Sequence, residues 1–88
     1  MEIAAFFGKK LAELTGLYEI GCVALIKLSV QDAGRDLAHV TYQEMREVFQ
    51  VHLLKRLQRL QVDGAAQVTA RMLAILSTQQ SLFTMSAR

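Results

Sequence analysis

The stretch TYQEMREVFQVHLLKRLQRL, residues 41–60, decides the fold because it predicts a long helix with a defined start and a defined buried face. Thr41 and Glu44 have the spacing of a capping box, in which each side chain bonds the backbone N–H of the other residue. Apolar residues then recur every three or four positions, as they do along one face of a helix. They are Met45, Val48, Phe49, Leu53, Leu57 and Leu60. The helix is expected to end near Gln61, and a turn follows at residues 62–64.

Helical periodicity also marks the segments before and after this stretch. Residues 2–14 carry apolar side chains at helical spacing, and Gly16 suits the left-handed conformation that often ends a helix. A last helix is expected to start near Ala65, where the side chain of Asp63 is suited to cap it. The apolar stripe of this last helix consists of Val68, Met72, Leu73 and Leu76.

Residues 17–28 are ambiguous, because they fit two kinds of secondary structure. As a helix, the segment is apolar nearly all round, which is typical of a buried central helix. As a strand, it pairs in a hairpin over about residues 18–42, and the fold is then α+β. We favour the helix, because Ser29 and Asp32 have the pattern of a new helix start. This start predicts a separate helix over residues 30–40.

The chain is expected to form one domain over residues 1–88 with an all-α fold, a compact bundle of four to five short helices. It contains no proline, which helix interiors reject. Cys22 is the only cysteine, so a disulfide within the chain is excluded. Because 52% of the residues are hydrophobic, and because small domains bury a smaller share of their surface, we expect association to supply part of the stability.

Apolar residues near the two ends of the sequence lead to the first functional hypothesis. Such residues are seldom left in water, so we expect them to form a contact surface. They are Phe6, Phe7, Leu82, Phe83 and Met85. The chain is then a small helical oligomerising or protein–protein interaction module, or a subunit of a larger assembly. Its expected partner is a second copy, giving a homo-oligomer, or another protein.

The alternative hypothesis is a dimeric DNA-binding regulator. Residues 30–46 resemble the second and third helices of a helix-turn-helix unit, whose last helix opens with a Ser or Thr cap and presents polar side chains to the major groove. His39 and Arg35 depart from that pattern at the turn. The resemblance implies nucleic-acid contacts from Thr41, Gln43 and Arg46, and the basic side chains of Lys55, Arg56 and Arg59 are suited to phosphates. With a net charge of only +2, a solvated helix face explains the same basic residues.

No pattern in the sequence indicates catalysis. Cys22 has apolar neighbours, among which a thiol is unreactive, and His39 and His52 each stand alone. These three residues also lack the spacing of a zinc site. We therefore expect no enzyme activity, no cofactor and no bound metal. The longest apolar stretch, residues 17–30, is too short to span a bilayer. We expect a cytoplasmic protein that does not contact membranes.

Overall fold

The computed structural model describes residues 2–84, and this part of the chain contains five helices and no strands. The helices are α1 (Ile3–Thr15), α2 (Glu19–Asp32), α3 (42–59), α4 (Ala65–Ser77) and α5 (Gln80–Thr84). Within α3, Tyr42–Glu47 and Leu54–Arg59 are α-helical, and Val48–Leu53 is a π-helical turn. The all-α prediction is confirmed. The hairpin alternative over residues 18–42 is wrong, because α2 occupies most of that range.

α3 is the central helix of the bundle, and it starts as the sequence predicts. Glu44 N–H donates to Thr41 Oγ1 at 3.1 Å, and Thr41 N–H donates to Glu44 Oε1 at 3.0 Å, which completes the capping box. The predicted apolar stripe is fully buried as far as Leu57, whereas Leu60 lies beyond the helix and is exposed. The π-helical turn packs against both α2 and α4. α3 therefore joins the two halves of the chain.

The predicted separate helix over residues 30–40 is absent, because α2 continues to Asp32 and the chain then turns. Ser29 does not start a helix. Its side chain is buried, and its hydroxyl donates to the Leu25 carbonyl one turn earlier at 2.7 Å. Serine hydroxyls make both kinds of bond, forward at a helix start and backward inside a helix. The prediction was wrong because Ser29 makes the backward bond.

α4 begins at the predicted position but without the predicted cap. Gly64 occupies the N-cap position with φ +66°, and no side chain bonds the first amides of the helix. The prediction that Asp63 caps α4 is therefore wrong. The left-handed turn at Gly64 moves the cap one residue beyond the aspartate.

α1 and α2 lie in close contact at Gly8. This glycine is buried, and a Cβ placed on it would lie 2.4 Å from Val23 Cγ2 and 2.7 Å from Val23 Cα. Real Cβ atoms do not approach backbone atoms this closely, so the backbones of the two helices lie in direct contact only because residue 8 has no side chain. Gly8 thereby fixes how α2 lies against α1.

We expect Gly8→Ala to lower the free energy of unfolding by about 2 kcal/mol or more, because the helices must move apart. Gly21→Ala is the matched control, since a Cβ there meets no atom within 4 Å. That change should leave stability unchanged or raise it by up to about 1 kcal/mol, because alanine favours helix over glycine. Urea unfolding of both variants in dilute solution measures the difference. Equal effects of the two substitutions would contradict a close approach at Gly8.

α2 and α3 end in the same hydrogen-bonding motif but with different residues at its left-handed position. After α2, Gly34 takes φ +70° and bonds the Gln31 carbonyl, while Arg35 N–H bonds the Val30 carbonyl. After α3, Gln61 takes φ +58°, and the equivalent two bonds are formed. This is the Schellman motif, which strongly prefers glycine at that position. Gln61 is therefore a strained residue at the end of the central helix.

Replacing Gln61 by glycine should relieve this strain. We expect Gln61→Gly to raise the free energy of unfolding by about 1 kcal/mol, the usual cost of a left-handed conformation with a Cβ. Gly34→Ala should lower it by a similar amount at the equivalent position, where a Cβ has free space and only the backbone conformation is unfavourable. Thermal unfolding followed by circular dichroism measures both. A destabilised Gln61→Gly variant would show that the glutamine side chain contributes more than its conformation costs.

Candidate interaction surface

The structure places two of the predicted contact residues inside the chain's own core. Phe7 is fully buried, and Phe83 on α5 is only 3% exposed. The Phe7 ring lies 5.4 Å from the ring of Phe49 on α3 and 6.3 Å from that of Phe83, between centroids. The centroid of the Phe83 ring also lies 6.0 Å from that of the Tyr42 ring. This corrects the sequence prediction: Phe7 and Phe83 stabilise the bundle and are not part of its exposed surface.

The remaining predicted contact residues are only partly available. Phe6 is half-buried, with its ring edge-on to Phe7 at 5.0 Å and the Lys10 ammonium 5.6 Å from its centroid. Leu82 is half-buried against the core. Met85 lies outside the described residues. Phe6 and Leu82 therefore offer less apolar surface than the sequence suggests.

The two most exposed large apolar side chains lie instead on and just before α2. Tyr18 is 90% exposed and Ile20 is 87% exposed, whereas Leu17 and Leu28 are 43% and 37% exposed, less than Leu60 after α3 at 56%. The sequence predicts α2 as a helix buried all round. In the structure only one of its sides is buried, the side that carries Cys22 and the residues one and two turns further on. The other side mixes apolar residues with charged and polar ones, and within the described residues Ile20, Gly21 and Ala24 on it remain exposed.

We call this exposed side the outer face of α2, and it comprises Ile20, Gly21, Ala24 and Leu28. A shallow depression runs along it, lined by Ile20, Val23 and Ala24, with Glu19 towards one end and Lys27 towards the other. The Lys27 ammonium lies 3.7 Å from Glu2 Oε1, and both side chains are at least half exposed. The depression is therefore mainly apolar, with one acidic and one basic side chain at its border.

The basic side of α3 is partly neutralised by a carboxylate from α2. Arg56 donates from Nε and Nη2 to the two carboxylate oxygens of Asp32, at 2.6 and 3.0 Å. Hydrogen bonding by Arg56, with added attraction from His52 and Arg59, holds the pKa of Asp32 below its usual range. Lys55 and Arg59 remain exposed. The arrangement ties α2 to α3, and it leaves fewer free charges for a phosphate backbone than the sequence suggests.

The structure lacks the first helix that the resemblance to a helix-turn-helix unit requires. Residues 30–40, which should form that helix, are split between the end of α2 and a turn. The hydroxyl of Thr41 accepts the cap bond from Glu44, whereas Gln43 is exposed and Arg46 is half-buried. The polar side chains are present, but the paired helices that present them to a groove are not formed.

The thiol of Cys22 is fully buried, and burial is the main cause that raises its pKa above the usual value. A raised pKa leaves the thiol protonated at neutral pH, and protonated thiols are weak nucleophiles. Within residues 2–84, no three His, Cys, Asp or Glu side chains cluster as metal ligands would. Nor does any helix of that range combine the length and hydropathy needed to cross a membrane.

Comparisons with family models, with curated proteins and with solved structures found no match.

The Asp32–Arg56 pair predicts a specific dependence of stability on pH. Because the pKa of Asp32 is lowered in the folded chain, its carboxylate stabilises the fold above the ordinary carboxyl pKa, and this contribution is lost as the pH falls through the folded value. We expect Asp32→Asn to lower the melting temperature at neutral pH, with the difference from wild type shrinking in acid. The control is Asp63→Asn, an exposed aspartate that does not cap α4. A difference from wild type that persists undiminished in acid would exclude the ion pair as its cause.

Proposed function

We propose that this chain is a helical oligomerisation module that binds a second copy of itself through the outer face of α2. The observation that carries the proposal is the 87% exposure of Ile20 on a helix whose exposed side also carries Gly21, Ala24 and Leu28. Helices with apolar residues all round are normally covered on all sides. Here α1 and α3 cover one side, and a second molecule is the natural cover for the other.

Burial of exposed apolar side chains favours association. Removing a fully exposed large aliphatic side chain from water contributes about 1.5–3 kcal/mol, which applies to Ile20 at 87% exposure. Leu17 and Leu28, at 43% and 37% exposure, contribute less. The described part of the chain gains nothing from a disulfide, because its one cysteine is free. Contiguous exposed apolar surface on a small domain is typical of a protein-binding site.

Charge favours a second copy over an unrelated partner. Glu19 and Lys27 border the same apolar depression towards opposite ends of α2. A copy of this helix laid in the reverse direction brings the Lys27 border of the depression in each chain towards the Glu19 border of the depression in the other. The face is thus complementary to itself, as two-fold symmetric interfaces must be.

The DNA-binding hypothesis gains no comparable support from the described residues. Its first helix is missing, and Arg56 is already bonded to Asp32. It remains a prediction from the sequence, and a salt-dependent affinity for duplex DNA would be needed to revive it.

The test is the oligomeric state, measured by sedimentation velocity over a range of micromolar concentrations. We expect the wild-type chain to associate. We expect Ile20→Glu to raise the dissociation constant of the oligomer at least ten-fold. Glutamate is well tolerated in the first turn of a helix, so the fold itself should be unaffected. Ala70→Glu is the matched control, since Ala70 is an exposed apolar residue in the middle of α4.

Each experimental result leads to a different conclusion about the interface. A wild type that stays monomeric throughout overturns the proposed function. If the wild-type chain forms an oligomer that Ile20→Glu leaves intact, the interface does not lie on the outer face of α2. Circular dichroism melts of dilute Ile20→Glu and Ala70→Glu confirm that both remain folded.

A further inference from the structure

We infer that α5 is a segment that two copies of the chain can exchange. When the turn at Thr78 and Gln79 straightens, α4 and α5 form one continuous helix. Phe83 then binds a second copy at the place that the second copy's own Phe83 has left. This exchange goes beyond the proposed association, because it does not use the outer face of α2.

Phe83 anchors α5 to the bundle. Its ring centroid lies 6.3 Å from that of Phe7 on α1 and 6.0 Å from that of Tyr42 on α3, and we call these two rings the Phe83 site. Among the described side chains of α5, Phe83 alone is buried, whereas Gln80 and Ser81 are exposed. A helix of 5 residues is not stable by itself in water. The docking of α5 therefore depends mainly on one ring, and segments with few buried contacts open at a low free energy.

The turn between α4 and α5 is a short 3₁₀ stretch. Thr78 N–H donates to the Ile75 carbonyl at 3.0 Å, and Thr78 has right-handed backbone angles, φ −85° and ψ −7°. Gln79 N–H donates to the Leu76 carbonyl at 2.9 Å. Both bonds reach back three residues, whereas an α-helix reaches back four. Residues 65–84 contain neither glycine nor proline, so a small change of backbone angles at the turn is enough to make the helix continuous.

The sequence places Phe83 in register with the buried face of α4. Phe83 follows Leu76 by seven residues, which at about 100° per residue places it only about 20° from Leu76 around a continuous helix. Met72 lies about 40° from Leu76 on the same side, and Met72 and Leu76 are fully buried. Straightening therefore continues the apolar stripe of α4 through Phe83. It also carries Phe83 about 9 Å past Ser77, at 1.5 Å per residue, and so out of the site in its own chain.

A second copy is the occupant that fits the vacated site, because the site is already built for this segment. Exposing Phe83 together with the rings of Phe7 and Tyr42 is unfavourable in a single chain. Two chains that exchange α5 bury these rings again in the same contacts, and exchange of an identical element is a low-cost route to a dimer. The short turn keeps α5 at a high local concentration near its own site, so the closed chain prevails on dilution and exchange grows with protein concentration.

Energy transfer between chains tests the exchange. One preparation carries a donor dye at Gln43→Cys, next to Tyr42, and another carries an acceptor dye at Ser81→Cys on α5. Both positions are exposed, whereas Cys22 is fully buried and should not be labelled. Every chain also carries Ile20→Glu, which removes association through the outer face of α2. We expect transfer to appear when the two preparations are mixed and gently warmed at about 1 mM, the local concentration that a short connection provides.

Substitutions in the turn supply the matched comparison. Alanine has the highest helix propensity and glycine one of the lowest. We therefore expect Thr78→Ala/Gln79→Ala to raise the equilibrium constant for exchange at least about five-fold, and Thr78→Gly/Gln79→Gly to lower it by a similar factor. Phe83→Ala should abolish exchange, because it removes the anchor and leaves both rings of the site in place. Circular dichroism at low concentration checks that each variant is folded.

Three results overturn the inference. One is the absence of transfer between chains that carry the alanine pair. Another is equal transfer with the alanine and glycine pairs, which indicates association without a change at the turn. The third is unchanged or increased transfer with Phe83→Ala, which indicates that the chains associate without the anchor. Because Ile20→Glu is present in every chain, none of these results bears on the proposed function, which has its own test.

Discussion

The direct contact between Gly8 and Val23 is the constraint on which the rest of this structure depends. Because residue 8 has no side chain, the α1 backbone lies against that of α2, and α2 is held at one fixed position. From there the opposite side of α2 meets no other described helix, while its inner side meets α3. One close approach thus decides both how the core is filled and which apolar surface is left outside it.

Most helices could be predicted from local sequence, because the features that define them are local. The Thr41–Glu44 box and the stripe through Leu57 lie within one segment, and the structure preserves both. The wrong predictions concern segments whose sequence is compatible with two different local structures. Ser29 bonds backward inside a helix rather than forward at a new one, and the cap of α4 falls at Gly64 instead of Asp63. Only the surrounding fold decides between such options.

The candidate surface was harder to predict than the helices. Hydropathy shows that Phe7, Phe83 and Ile20 are all apolar, but it does not show which of them another helix covers. α5 brings Phe83 back onto the aromatic rings near the start of the chain, a contact between residues far apart in sequence. Within residues 2–84, no equivalent segment returns over the outer face of α2. A pattern that is apolar on all sides indicates that each side needs a cover, without indicating whether that cover lies in the same molecule.

The placement of the two tyrosines has a practical consequence for spectroscopy. The 88-residue sequence has no tryptophan, so tyrosine dominates its near-ultraviolet absorption and its fluorescence. Tyr42 is half-buried with its ring against Phe83, whereas Tyr18 is almost fully solvated beside the outer face of α2. One chromophore thus senses the closure of the core, and the other senses the solvent at the free side of the molecule. The chain carries two native optical reporters of separate events, and neither requires a label.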